Sequence, residues 1–255
     1  MFEFLFGRSR KPKAQAACVP VGSRVYAIGD IHGRVDLLES LHGMIAEDVA
    51  SFSGHRKVLV YLGDYVDRGL ESRETVDCLL DRPLEGFERV FLMGNHERAL
   101  LDFLADSRVA IDWLTYGGDA TLFSYGVGLD GPRTQPATLM RLQEKFRERL
   151  PARHLEFYES LKLSHAEGDY LFVHAGVKPG VPLDRQQEKD VLWIRDEFLD
   201  ATESYGKVIV HGHTITRAPE VKKNRIGIDT GAFASGKLTC LALEGESGRF
   251  LATGG

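Results

Sequence analysis

The sequence predicts an α/β fold in which two sheets pack together with helices outside. Three observations point to it. Short, β-branched apolar runs recur along the chain, and most end in glycine beside a polar residue. The first three runs alternate with segments of helical periodicity. From residue 162 onward strand patterns dominate. Apolar runs with almost no polar interruption suit strands covered on both faces.

The first strand is RVYAIGD (24–30). Residues 34–50 then carry Leu37, Leu38, Leu41, Met44 and Ile45 at helical spacing. The second strand is KVLVYLGD (57–64), followed by a helix over 71–81 that ESRE opens and Val76, Leu79 and Leu80 line. RVFLMGNH (89–96) is the third strand. The order β-α-β-α-β implies a parallel sheet with right-handed crossovers. Residues 97–162 read as a helical insertion, broken at Gly117-Gly118 and at the turn-rich GLDGPRTQP. The later strands are YLFVHAG (170–176), KVIVHGH (207–213), RIGIDTG (225–231) and KLTCLAL (237–243).

A chain of 255 residues is long enough to bury a sizeable core. The expected organisation is a flexible tail over 1–20 and one catalytic domain over 21–255. A formal net charge of −5 argues against a nucleic-acid partner. Cys18, Cys78 and Cys240 are far apart and lack metal spacing, which suits a reduced, cytoplasmic setting. The segment MFEFLFGRSRKPKAQAACVP is not read as a signal peptide: its apolar part is short, contains Glu3 and precedes the basic residues. Phe2, Phe4 and Phe6 with Arg8, Arg10, Lys11 and Lys13 leave weak membrane or partner docking open. No run approaches the length of a transmembrane span.

In parallel α/β sheets, ligand sites form beyond the carboxyl ends of the strands. The predicted strands bring a polar group to that end: Asp30 and His32; Asp64, Asp67 and Arg68; Asn95 and His96; His174; His213, with His211 beside it. Carboxylate, amide oxygen and imidazole donors without thiolate favour manganese, iron or zinc over a structural zinc site. The donors are too numerous for one ion and enough for two, the arrangement that clamps the attacking and leaving oxygens of phosphoryl transfer. A carboxylate must then bridge, and Asp64 is central in the ligand order. Singly, each piece reads as a turn, a helix cap or a core histidine. Five at successive strand ends do not.

GDIHG (29–33), GDYVDRG (63–69), GNHE (94–97), HAG (174–176) and GHT (212–214) resemble the phosphoprotein phosphatase (PPP) family of metallophosphoesterases, in particular its bacterial serine/threonine protein phosphatases. The resemblance covers roughly residues 24–243. It implies the metallophosphoesterase-type β-sandwich of two mixed sheets flanked by helices (αββα). It also implies two divalent metal ions, with manganese expected and iron or zinc as alternatives. Asp30, His32 and Asp64 would bind the first, and Asp64, Asn95, His174 and His213 the second. By the same resemblance His96 is the general acid and Asp67 holds it, while Arg68, Asn95 and Arg195 (in VLWIRDEF) bind the substrate phosphate. His211 has no counterpart in the ligand set and is expected to be structural or to support the ligands.

The implied function is hydrolysis of phosphomonoesters by a two-metal-activated hydroxide, with phosphorylated proteins or peptides as substrates. A diadenosine tetraphosphate hydrolase is the rival enzyme; that branch resembles the chain at GD-x-HG and GNHE but lacks the aspartate before the arginine in its second motif. A non-catalytic phosphoprotein-binding scaffold is the rival of another class, and the intact set of metal, acid and arginine residues argues against it. The segment WLTYGGDATLFSYG (113–126) is expected to supply local specificity, with Tyr116, Phe123 and Tyr125 either in that role or in the core. The chain ends soon after the last predicted strand, so the resemblance is not extended to the regulatory-subunit docking of longer eukaryotic relatives.

Overall fold

The computed structural model describes residues 16–254. The chain enters between the two sheets. The Val19 N–H donates to the Gly245 carbonyl (3.0 Å) and the Asp169 N–H to that of Cys18 (2.9 Å). Val19 itself is buried. Packed structure therefore begins inside the stretch 1–20 expected as a tail. The proposed docking residues between Phe2 and Lys13 lie outside the described residues.

The first half alternates as expected: β1 (Ser23–Ile28), α1 (Val35–Val49), β2 (Arg56–Tyr61), α2 (Ser72–Asp81) and β3 (Glu88–Phe91). The helical stretch contains α3 (Asn95–Ala105), α4 (Ala110–Thr115), α5 (Gly118–Ser124), α6 (Pro136–Arg149) and α7 (Ala152–Glu159). Its breaks fall at Gly117, which is left-handed, and before Pro136, which opens α6. The second half contains β4 (Ser164–Glu167), β5 (Tyr170–Val173), α8 (Glu188–Trp193), α9 (Asp196–Leu199), β6 (Val208–His211), β7 (Glu220–Val221), β8 (Arg225–Gly227), α10 (Ala232–Ser235), β9 (Thr239–Glu244) and β10 (Ser247–Ala252).

Two mixed sheets result, with strand orders β10-β9-β1-β2-β3 and β4-β5-β6-β8-β7. In the first, β1, β2 and β3 are parallel, β9 runs antiparallel to β1, and β10 runs antiparallel to β9 at the edge. In the second, β5, β6 and β8 are parallel and β4 and β7 are antiparallel edges. Alternation along β1 assigns the faces. Val25 and Ala27 join Val58, Val60, Phe172 and Val210 between the sheets. Tyr26 and Ile28 join Leu38, Leu41 and Ile45 of α1 under the helices. Both faces of β1 are buried, which is why its sequence is an uninterrupted apolar run.

Four details differ from the sequence reading. The apolar runs overshoot the strands: β1, β2, β3 and β5 stop before their glycine and polar residues, which become loops. The helical stretch starts at Asn95, ahead of the expected 97, so Asn95 and His96 open α3. Strands β4, β7 and β10 were not anticipated, since each is a partly exposed edge without a continuous apolar run. The short helices α8, α9 and α10 were not anticipated either.

The inter-sheet layer depends on large side chains from both sheets. Phe172 is fully buried there. Truncation to alanine should destabilise the protein by about 3–5 kcal/mol, the usual cost of deleting a buried aromatic ring. Urea unfolding of Phe172→Ala checks this. A loss below about 1 kcal/mol would show that the two sheets do not share this core.

Candidate active site

The loops after β1, β2, β3, β5 and β6 meet at one end of the paired sheets. They carry Asp30 and His32, then Asp64, Asp67 and Arg68, then His174, then His213, and the connection after β3 leads into α3, which opens on Asn95 and His96. The first two loops are laced together: the Ile31 and His32 N–H groups donate to the Asp64 carbonyl (3.0 and 2.9 Å), and the Gly33 N–H to that of Tyr65 (2.8 Å). The loops after β5 and β6 are joined by the Gly212 N–H donating to the His174 carbonyl (2.8 Å).

The backbone here is strained. Among the described residues, the non-glycine positions with positive φ are His32, Asp64, Asp67, Arg68 and His213. All belong to this cluster. Left-handed conformations cost a non-glycine residue of order 1–3 kcal/mol and persist where surroundings enforce them. Glu97 supplies much of that enforcement. Its buried carboxylate accepts from the N–H groups of Asp64 (2.9 Å), Tyr65 (2.8 Å), Val66 (3.2 Å) and Gly94 (3.0 Å). Gly94 has to be glycine, because a Cβ there would lie 2.1 Å from Asp64 Oδ1.

The donor atoms converge on Asp64. Its Oδ2 lies 3.5 Å from Nε2 of His32 and 3.5 Å from Nε2 of His174. Candidate ligand atoms of His32, Asp64 and His96 lie within 4.8 Å of one another, and so do those of Asp64, His174 and His213. Asn95 Oδ1 is 2.8 Å from His174 Nε2 and 2.9 Å from His213 Nδ1. Asp30 stands slightly apart, accepting from the His213 N–H at 3.0 and 3.2 Å, and is not part of either triad. His96, expected as the acid, stands in the first triad through its Nε2, 3.8 Å from Asp64 Oδ2.

Protonation follows from hydrogen bonds and burial. Nδ1 of His32 faces the Val66 carbonyl (2.8 Å) and Nδ1 of His174 that of Leu62 (2.9 Å). A carbonyl only accepts, so each Nδ1 carries the proton and each Nε2 presents a lone pair. Burial drives the His32 ring down to about 3 and that of His213 to about 2, and lowers His174 as well. These rings are neutral near pH 7. His96 differs: burial pulls it down, but Asp64 and the hydrogen bond to Asp67 prevail and raise it above its ordinary value.

Asp67 does not join the triads. Its Oδ2 lies 2.6 Å from His96 Nδ1. The sequence reading missed what holds it. Trp113 Nε1 donates to Oδ2 (2.9 Å) and Thr121 Oγ1 to Oδ1 (2.6 Å). The Asp67 N–H in turn faces Thr121 Oγ1 (2.9 Å) and Ser72 Oγ (3.1 Å). Segment 113–126 thus orients Asp67, beyond the specificity role expected of it. Tyr125 is core, bonded to His154 Nδ1 (2.7 Å) and Tyr158 (3.0 Å), whereas Phe123 is exposed and Tyr116 stands beside His96.

The arginines flank the cluster. Arg68 Nη1 donates to His32 Nε2 (2.8 Å), and its guanidinium lies 4.9 Å above the Phe233 ring. Arg195 Nη1 is 3.4 Å from both the His213 carbonyl and Thr214 Oγ1. His211 turns away, with Nδ1 on the Gly212 carbonyl (3.1 Å), Nε2 near Arg225 (3.3 Å) and its ring edge-on to Phe198. Asp229, two residues past the end of β8, is a buried carboxyl beside Asp30 that sequence reasoning gave no role. Its Oδ2 has no hydrogen-bond partner, and burial pushes it up to about 6.

Residues 23–226 match the family model for the calcineurin-like phosphoesterases. The chain belongs to that family. It is 28% identical over 224 residues to serine/threonine-protein phosphatase 2 of Salmonella typhimurium, covering 84% of this chain and 90% of the relative. It is 25% identical over 233 residues to the asymmetrical bis(5'-nucleosyl)-tetraphosphatase PrpE of Anoxybacillus flavithermus, covering 84% and 88%. A crystal structure described as a candidate diadenosine tetraphosphatase superposes with a TM-score of 0.58 at 24% identity, over 93% of this chain and 98% of that one, a likeness of fold. As a calcineurin-like phosphoesterase the chain is a phosphoester hydrolase, and the family works with a dinuclear divalent metal centre. Two triads sharing Asp64, three buried neutral imidazoles and an orphaned His213 Nε2 form an acceptor-rich set that fits such a centre. Among the described residues no helix is long and apolar enough to cross a membrane.

In Glu97→Gln one of the two oxygens that accept from backbone N–H groups becomes an amide N–H₂, a donor facing donors. Each buried donor left unpaired costs about 1–3 kcal/mol. Denaturation of the variant should show a loss of that order or larger. Unchanged stability would mean that the turn 63–69 holds its shape without Glu97.

Proposed function

We propose that this phosphoesterase hydrolyses phosphomonoesters, with phosphoserine and phosphothreonine proteins as its leading substrates. The observation that carries the reading is the Asp67–His96 pair. An imidazole raised above its ordinary value and bonded through Nδ1 to a carboxylate has its Nε2 proton free for an outgoing oxygen. That device matters most for a serine or threonine alkoxide, which is a strongly basic leaving group. A pyrophosphate chain leaves with far less help. The relatives divide between a protein phosphatase and tetraphosphatases, and Asp67 is the residue by which we favour the former for this chain.

In this reading Asp30, His32 and Asp64 hold one divalent ion and Asp64, Asn95, His174 and His213 the other, with manganese favoured and iron or zinc as alternatives. When bound, such ions bring the pKa of water near 7 and neutralise phosphoryl charge. Arg68 and Arg195 bind the phosphoryl oxygens with planar, doubly donating guanidinium groups. Asn95 adds an amide N–H₂ on the same side. His96 gives its Nε2 proton to the leaving oxygen, and Asp67 keeps the ring oriented and stabilises its charged form before transfer.

The substrate assignment is tested on protein stripped by a chelator and resupplied with single metals. Activity should vanish on stripping and return best with manganese, with kcat/KM higher for phosphoserine and phosphothreonine peptides than for diadenosine tetraphosphate. A far higher kcat/KM for the dinucleotide would establish the tetraphosphatase reading instead. Full turnover without metal would remove the two-ion site.

The acid assignment makes a sharper prediction. Asp67→Asn and His96→Asn should each lower kcat on phosphoserine peptides by about 10²–10⁴-fold, the usual worth of general acid catalysis. The effect on p-nitrophenyl phosphate, whose phenolate leaves without a proton, should be much smaller. The double variant should be little worse than either single one. Equal damage to both substrates, or loss of bound metal in Asp67→Asn, would refute this division of labour.

A further inference from the structure

Two exposed aromatic rings meet beside the acid, and the phosphoryl chemistry uses neither. Tyr116 follows α4 and is 45% exposed; Trp193 ends α8 and is 41% exposed. Their ring centroids are 6.1 Å apart, tilted by 56°. Tyr116 lies 6.5 Å from the His96 ring, and Trp193 6.3 Å from that of His213. Single exposed apolar side chains need no explanation. Two touching rings from distant parts of the chain, each against a site imidazole, form a wall at the mouth of the site.

The wall is fixed in place relative to the phosphate-binding groups. Gly117, next to Tyr116, is left-handed at φ +105, and a Cβ there would come within 2.9 Å of Arg68. Its carbonyl accepts from the Arg68 N–H at 3.1 Å. Trp193 precedes Arg195 by two positions, and Arg195 reaches the His213 carbonyl. Each ring is thus tied to one of the two arginines.

We propose that Tyr116 and Trp193 form a subsite for a flat aromatic leaving group joined to the phosphate through its own oxygen, so that phosphotyrosine and simple aryl phosphates are held ring against ring. The inference rests on the phosphomonoester reading above and extends it to the leaving group. A general acid must come within about 2.6–3.2 Å of the oxygen it protonates. Whatever that oxygen carries therefore starts beside His96, where Tyr116 stands. In an aryl phosphate the ring begins at that atom and falls against the wall. In a serine phosphate only one methylene occupies the place. In a dinucleoside polyphosphate the base is held off by ribose and further phosphates. Aromatic pairs at this spacing contribute a few-fold to about tenfold in affinity per ring.

The first arm of the test needs no turnover. The chain has two tryptophans, and the other, Trp113, is fully buried, so a ligand on the wall reports through Trp193 fluorescence. With manganese-loaded protein, phenylphosphonate should bind about 3–10-fold tighter than methylphosphonate and change the emission. Trp193→Phe should abolish the emission change, Tyr116→Ala should erase most of the preference, and Tyr116→Phe should keep it. In turnover, the ratio of kcat/KM for a phosphotyrosine peptide over its phosphoserine counterpart should fall about 3–10-fold in Tyr116→Ala. Equal binding of the two phosphonates, or an unchanged peptide ratio, overturns the proposal. So does a dependence on the rings seen with diadenosine tetraphosphate and absent with phenylphosphonate, which would make the wall a base-binding surface. A clear phenyl preference in protein that turns over no monoester upholds the subsite and defeats the substrate reading it extends.

Discussion

The rest of the site depends on one buried carboxylate. Glu97 sits at the start of α3 and takes up backbone N–H groups on both sides of the gap between that helix and the turn after β2. The turn contains Asp64, Asp67 and Arg68 in left-handed conformations that a free chain would abandon. Each costs of order 1–3 kcal/mol, and each hydrogen bond to the Glu97 carboxyl, which burial and Asp64 push up to about 8, contributes about 0.5–1.5 kcal/mol. The two are of one size, so a single side chain offsets much of the strain. What the strain achieves is density: Asp64 of both triads, the carboxylate that pairs with His96 and the Arg68 guanidinium stand within five consecutive residues.

The second constraint is electrostatic. Asp30, Asp64 and Asp229 are buried together, and the neighbouring His32, His174 and His213 are held neutral by that same burial. Neutral imidazoles cannot compensate carboxylates. Arg68 reaches in to His32, which relieves only part of the imbalance. A buried set of acceptors this rich gains most from a multivalent cation, and a cation that binds only the folded chain stabilises it by mass action. Metal affinity and fold stability are coupled here by construction. The chain accepts buried charge that would otherwise cost several kcal/mol per ion.

Much of this was legible in the sequence, for a physical reason. The central strands are covered on both faces, so they must be continuously apolar, and a polar residue at the end of such a run marks where the chain leaves the core. Asp30, Asp64, Asn95, His174 and His213 all announced themselves that way. Strands β4, β7 and β10 did not, because an edge strand with a wet face has no continuous run to read. Trp113 and Thr121 were invisible as partners of Asp67, since nothing in a helical pattern says which residue folds back onto a loop some fifty positions earlier. The turn 63–69 explains the asymmetry: local crowding of charge shows in sequence, whereas the side chains that tolerate it come from elsewhere.

Segment 113–126 carries both of these hidden contributions at once. On its inner side Trp113 and Thr121 fix the carboxylate that orients His96. On its outer side Tyr116 faces the mouth, one residue from the Gly117 carbonyl that accepts from the Arg68 N–H. A shift of this segment therefore moves Asp67, Arg68 and the Tyr116 ring together. Under the proposed reading, leaving-group recognition and leaving-group protonation cannot drift apart independently, because one short stretch of chain sets the geometry of both. A change here that widened the mouth for a bulkier substrate would loosen Asp67 as well, weakening protonation for the basic alkoxides that need it most. Substituents with good leaving groups would tolerate such a change and serine esters would not. If the strand-end residues hold the metals as proposed, the insertion is where substrate range can vary, and its coupling to Asp67 limits how far.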